Sequence, residues 1–103
     1  MIKVYGMPSC PDCSYVEEQI AGREDEFEFI DIGAHVRNMK EFLHLRDTDP
    51  AFAGCAERGS VGIPAFLFED GHVSLAPEDA GLKANPGDAA CSIADHKAGK
   101  KGC

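Results

Sequence analysis

The chain has 103 residues, room for one domain around one hydrophobic core. Ten Lys and Arg stand against 18 Asp and Glu, a formal net charge of -8, which excludes a sequence-independent electrostatic grip on nucleic acid or anionic lipid. No apolar run is long enough to span a bilayer, and the opening Met-Ile-Lys-Val-Tyr-Gly has no basic-then-apolar leader pattern, so a cytoplasmic protein is expected.

Taken in order, Ile2 to Tyr5 reads as a first strand, and Gly6-Met7-Pro8-Ser9 as the loop that ends it. Cys13, Val16 and Ile20 share one face of a helix that starts at Pro11, with Cys10 at its N-cap and Gly22 as the stop. Phe27 to Ile32 is a second strand whose adjacent Phe29 and Ile30 fit burial on both faces. Val36, Met39 and Leu43 mark the apolar face of a second helix ending near Arg46. Asp49-Pro50 caps one further short helical piece that holds Phe52 and Cys55 and closes at Gly59. Val61 to Phe68 is strand-like, Asp70-Gly71 is a turn, and His72 to Leu75 completes an antiparallel hairpin. Pro77-Glu78-Asp79 opens a brief final helix.

After Leu82 the composition changes. Residues 1–81 hold six Lys and Arg against sixteen Asp and Glu, whereas residues 82–103 hold four against two, with Ile93 the single large aliphatic side chain beyond Leu82. The expected organisation is a folded domain over 1–82 and a flexible extension over 83–103.

Five cysteines are many for a reducing compartment, where such residues more often serve redox chemistry or metal binding than structural cross-links. Cys10-Pro11-Asp12-Cys13 stands at a strand-loop-helix junction. A thiolate at a helix start is stabilised by free backbone N–H groups and the helix dipole, so Cys10 is the expected nucleophile. Cys13, one turn on, is placed to resolve a mixed disulfide formed at Cys10. Asp12 sets a negative charge beside the thiolate and opposes its formation. Two cysteines three apart are also half of a zinc site, but the other candidates, Cys55, His72, Cys91, His96 and Cys103, include no second such pair, and redox chemistry is favoured. Gly62-Ile63-Pro64 before the apolar strand Ala65-Phe66-Leu67-Phe68 supports the same reading.

With these marks the chain resembles the glutaredoxins, or a glutaredoxin-related protein of the thioredoxin-like superfamily, over residues 1 to about 82. The resemblance rests on Ile2-Lys3-Val4-Tyr5, Cys10-Pro11-Asp12-Cys13, Gly62-Ile63-Pro64 and the turn at Asp70-Gly71. It implies an α/β thioredoxin-like fold: a four-stranded mixed sheet flanked by helices, here followed by a cysteine-containing C-terminal tail. It also implies a cis peptide between Ile63 and Pro64 beside the dithiol, and an Ile63 backbone that pairs with substrate. Cys10 and Cys13 are then the catalytic pair, and Gly62, Ile63, Pro64, Glu78 and Asp79 the substrate or glutathione contacts. Three positions depart from the family pattern. Met7 stands where a basic residue is usual, Asp12 where an aromatic is usual, and Ala76-Pro77-Glu78-Asp79 lacks the usual glycine pair.

The expected activity is reduction of protein or low-molecular-weight disulfides, glutathione mixed disulfides among them. No cofactor or metal is expected to be resident, with glutathione as cosubstrate and a glutathione or thioredoxin reductase system as electron source. The expected partners are disulfide-containing proteins or glutathione, with no nucleic acid and no membrane, and the expected state is a monomer. The competing reading is a thiol module that holds a metal or an iron-sulfur cluster for storage or sensing. Cys55 reads as a small buried hydrophobe, Cys91 and Cys103 as tail thiols, and His35, His44 and His72 as scattered surface or satisfied residues.

Overall fold

Strand β1 (Ile2–Gly6) runs through the middle of the sheet, and its alternating side chains feed two cores: Val4 points to one face and Tyr5 to the other. In the computed structural model, which describes residues 1–85, β1 is followed by helix α1 (Pro11–Ile20), strand β2 (Phe27–Asp31) and helix α2 (Val36–Thr48). A 3-10 turn (Pro50–Phe52), helix α3 (Cys55–Arg58), strands β3 (Ala65–Leu67) and β4 (Val73–Ser74) and a 3-10 turn (Pro77–Ala80) complete the order. The sheet order is β2-β1-β3-β4, with β1 parallel to β2 and antiparallel to β3, and β4 antiparallel to β3. This is an α/β architecture with a four-stranded mixed sheet flanked by helices. A parallel pair needs a crossover, and α1 supplies it. No helix of the described residues is long and apolar enough to cross a membrane.

On one face Val4, Phe27 and Phe66 pack with Val16 and Ile20 of α1 and with Leu82. On the other, Tyr5, Ile30 and Ala65 pack with Phe42 of α2, with Phe52 and Cys55, and with the two cysteines at the start of α1. Edge strand β2 is therefore buried on both faces, as its mixed pattern predicts, with Phe27 in one core and Ile30 in the other. Leu82, 5% exposed, ends the packed body, and Lys83 is tied to α1 by reciprocal hydrogen bonds with Gln19. The rest of the expected extension, with Cys91, His96 and Cys103, lies outside the described residues.

Four expectations change. The β1 strand includes Gly6, which aligns with Asp31 of β2. The buried face of α2 is not Val36-Met39-Leu43: Val36 is 65% exposed and Leu43 41%, while Phe42 is 1% exposed with Met39 and Leu45 partly covered. The single aromatic outweighs the aliphatic series, because its larger apolar area gains more from burial. The piece after Asp49 is two elements rather than one. Asp49 does cap the first, accepting from the Ala51 N–H at 2.9 Å, but Gly54 at φ +85° breaks the helical run before Cys55. Finally, β3 is shorter than Val61 to Phe68, since Gly62 lies at φ +95°, away from the extended backbone a strand needs. A Cβ on Gly62 would stand 2.8 Å from the buried Phe52 ring, so both backbone angle and packing call for glycine there.

Candidate active site

The end of β1 and the start of α1 bring Cys10 and Cys13 together. Cys10 is the N-cap of α1 with extended backbone (φ -87°, ψ 121°), Pro11 occupies the first helical position, and the Cys10 carbonyl accepts the first helical hydrogen bond, from the Ser14 N–H at 2.9 Å. The loop closes on itself where the Cys10 N–H donates to the Met7 carbonyl at 3.1 Å. Cys10 is 6% exposed and Cys13 is completely buried, so the Cys13 thiol lies beneath that of Cys10.

The two thiols are driven apart in acidity. The Cys10 thiol is lowered to about 7, first because the Cys13 thiol hydrogen-bonds to it. Burial opposes the lowering, the backbone N–H groups of Cys13 and Asp12 add to it, and the Asp12 carboxylate opposes it weakly. Asp12 thus acts in the expected direction but is outweighed by donors closer to the sulfur. Cys13 is pushed far above its ordinary value, chiefly by donating to Cys10 and then by burial, against the pull of the Met7 N–H. At neutral pH about half of Cys10 is nucleophilic, compared with ~3% for an ordinary cysteine. Cys13 stays protonated at neutral pH.

Alkylation of Cys10 by iodoacetamide should rise with pH to half its plateau rate near pH 7, because the thiolate is the reacting form. Cys13→Ala removes the main stabilising donor and should move that midpoint upward. An unchanged midpoint would mean that backbone donors alone set the acidity.

Gly6 is a site residue that its place in the chain did not single out. A Cβ there would stand 2.7 Å from Cys13 Sγ, 3.2 Å from Cys13 Cβ and 3.3 Å from the Phe29 ring. Neither a strand backbone nor a fully buried one-carbon side chain on a helix yields readily. Gly6→Ala should destabilise the fold by about 1–3 kcal/mol and slow alkylation of Cys10 at fixed pH, since Cys13 must shift. Wild-type values in both urea unfolding and alkylation would refute that contact. A glycine four residues before the first cysteine of the pair is the available sequence signal.

The remaining expected site residues divide. Ile63 is 6% exposed and belongs to the same core as Cys10 and Cys13, and Gly62 and Pro64 on either side of it are buried. The expected cis bond is present between Ile63 and Pro64. Arg46 holds the chain just ahead of that segment, its guanidinium donating to the Ser60 carbonyl at 2.8 Å. Glu78 and Asp79 sit on the exposed 3-10 turn after β4, outside that cluster, and Asp79 accepts from the Ser74 hydroxyl at 2.5 Å.

Cys55 is 1% exposed in the dithiol core, with the Arg58 guanidinium 3.8 Å from its sulfur, in keeping with a buried hydrophobe. His35 caps α2, its Nδ1 accepting from the Arg37 N–H at 3.0 Å, and His72 stacks on Phe68 and pairs with Asp70. Among the described residues no three His, Cys, Asp or Glu side chains converge as a metal-binding group.

The chain is 30% identical over 67 residues to an uncharacterized protein of Haemophilus influenzae, a match that spans 65% of this chain and 78% of that protein. It belongs to the same family as that protein. No family model matches the chain, and no solved structure matches it. The relationship carries no activity with it, so the chemistry rests on the residues themselves.

Proposed function

We propose that the chain is a thiol:disulfide oxidoreductase with a thioredoxin-like fold, related in design to the glutaredoxins and acting in the cytoplasm as a monomer. The observation that carries this reading is the hydrogen-bonded thiol pair at the start of α1, with Cys10 lowered to about 7 over a buried, protonated Cys13. The sheet order β2-β1-β3-β4 with a parallel first pair and an antiparallel hairpin fits the fold that the glutaredoxin resemblance implies. So does the packing of Ile63 in the dithiol core.

In the first step the Cys10 thiolate attacks one sulfur of a substrate disulfide, forming a mixed disulfide and expelling the other sulfur as a thiolate. Cys13 then loses its proton to solvent or to the departing thiolate. Its sulfur attacks Cys10 Sγ, closes the Cys10–Cys13 disulfide and releases the second substrate thiolate. Two electrons pass from the dithiol to the substrate, and an external thiol, either glutathione or a reductase-linked dithiol, returns them. The main chain at Ile63, in the same core as the dithiol, would pair with substrate as the glutaredoxin resemblance implies, while Pro64, which has no N–H, closes the segment.

Reduction of a peptide disulfide, with glutathione or a thioredoxin reductase system as electron source, tests the reading. Turnover above the uncatalysed rate with either source is the expected result. An uncatalysed rate with both, from protein whose Cys10 still alkylates with a midpoint near pH 7, would sink it.

A further inference from the structure

A groove of about 470 Å³ lies between α2 and the α2-facing side of β1 and β3, and none of Cys10, Cys13, Ile63 or Pro64 lines it. Its charge is opposite to that of the chain. Lys3 on β1 and Arg37 and Lys40 on α2 reach it, three of the six Lys and Arg that residues 1–81 contain against sixteen acids. Arg37, Lys40 and His44 follow helical spacing, so one face of α2 presents its cations to Lys3 across the groove. Glu41 is the one acidic group in the lining. None of Lys3, Arg37 and Lys40 has an ion-pair partner among the described residues, although acids are abundant elsewhere on the chain.

A second observation is independent of those charges. Tyr5 lines the same groove and is 2% exposed, and its hydroxyl has no hydrogen-bond partner among the described residues. That oxygen is not one of the sealed polar atoms of the core, so it opens on the groove and can meet a ligand there. Burial, then the Glu41 and Glu28 carboxylates, hold the phenol above its ordinary acidity range, so it stays protonated and able to donate into the groove. The other walls are apolar: Leu45, Leu67 and the Tyr5 ring.

We propose that this groove binds a small organic anion, an apolar body ending in a carboxylate. The carboxylate accepts from the Tyr5 hydroxyl and is neutralised by Lys3, Arg37 and Lys40, while the body lies on Leu45 and Leu67. The volume falls within the range of about 300–1,000 Å³ usual for small-molecule sites, and an apolar lining with a few convergent polar groups is their ordinary make-up. An inorganic ion would leave the apolar walls unused.

The test is an amide-resolved NMR titration of the full chain with 3-phenylpropionate, its uncharged amide and inorganic phosphate. The carboxylate should give saturable shifts at Lys3, Tyr5, Lys40 and Leu67, and the other two compounds should bind at least tenfold more weakly. Lys3→Gln with Lys40→Gln should weaken the carboxylate at least tenfold while leaving the urea midpoint and Cys10 alkylation at wild-type values. Tyr5→Phe, which keeps the ring, should weaken it severalfold. Equal binding of the amide or of phosphate, binding that survives the double substitution, shifts centred on Cys10, or no saturation would each overturn the proposal.

Discussion

Cys10→Ser should abolish disulfide reduction, lowering the rate by about a thousandfold or more, because a serine hydroxyl at neutral pH has no appreciable alkoxide to attack sulfur. Cys13→Ser separates the two roles. It keeps the nucleophile and an O–H donor beside it but removes the resolving sulfur, so the protein should accumulate a mixed disulfide seen as a mass increase equal to one substrate thiol. The two variants together distinguish a dithiol exchange from simple exposure of a reactive cysteine. Full reductase activity in Cys10→Ser, or a Cys13→Ser protein that turns over without trapping substrate, would contradict the assigned order of attack. The same pair bears on the competing reading as a metal-holding module. There the two substitutions should have similar effects, since ligands contribute alike, whereas an attacking and a resolving thiol should not.

The second large effect is on stability. Phe42→Ala should cost about 3–5 kcal/mol, a large share of the roughly 5–15 kcal/mol that holds a domain of this kind together. Phe42 is 1% exposed and is the fully buried residue of α2, 5.8 Å edge-on from Phe52 and 6.3 Å from the Tyr5 ring, centroid to centroid. Truncation leaves a cavity between α2, the sheet and the 3-10 turn. The urea midpoint should fall by more than about 1 M, and Cys10 alkylation should lose its midpoint near pH 7 as the shared core loosens. Leu43→Ala is the control, since Leu43 is 41% exposed on the next position of the same helix and should cost less than about 1 kcal/mol. Comparable losses at the two positions would return the buried face of α2 to the one its aliphatic spacing indicates.

How much of the fold could be read in advance depends on whether a signal was local. The order of elements, the α1 boundaries and the Asp49 cap were legible because proline, glycine and capping side chains act on their own backbone within a residue or two. Cys10 as N-cap and Cys13 one turn inside the helix belong to that class, and so does the turn at Asp70-Gly71, where Asp70 accepts from the His72 N–H at 3.0 Å. The face that α2 buries was not local. Val36, Met39 and Leu43 satisfy the helical period as well as Met39, Phe42 and Leu45 do, and the choice falls to the partner surface made by Tyr5, Phe52 and Cys55. The length of β3 was likewise settled away from itself, by a backbone reversal at Gly62 packed on Phe52.

The dithiol shows the same division. Its identity, spacing and helix-start position lie in four consecutive residues, and elementary electrostatics then names Cys10 as the more acidic thiol. What the tertiary structure decides is the environment: Gly6 clearing space at Cys13, Met7 closing the loop, and Ile63 brought from a distant part of the chain into the same core. Tyr5 is the further case, a strand residue whose groove forms only when α2 sets Arg37 and Lys40 across from Lys3 of β1. The sequence by itself determined the helix-start placement of Cys10 and Cys13, the element order and the alternation that gives the sheet two buried faces, because each depends on neighbours along the chain. Only the tertiary structure decided which helix face is inside and which distant residues meet the thiols, because contacts across the sheet depend on shape and volume that no local period encodes.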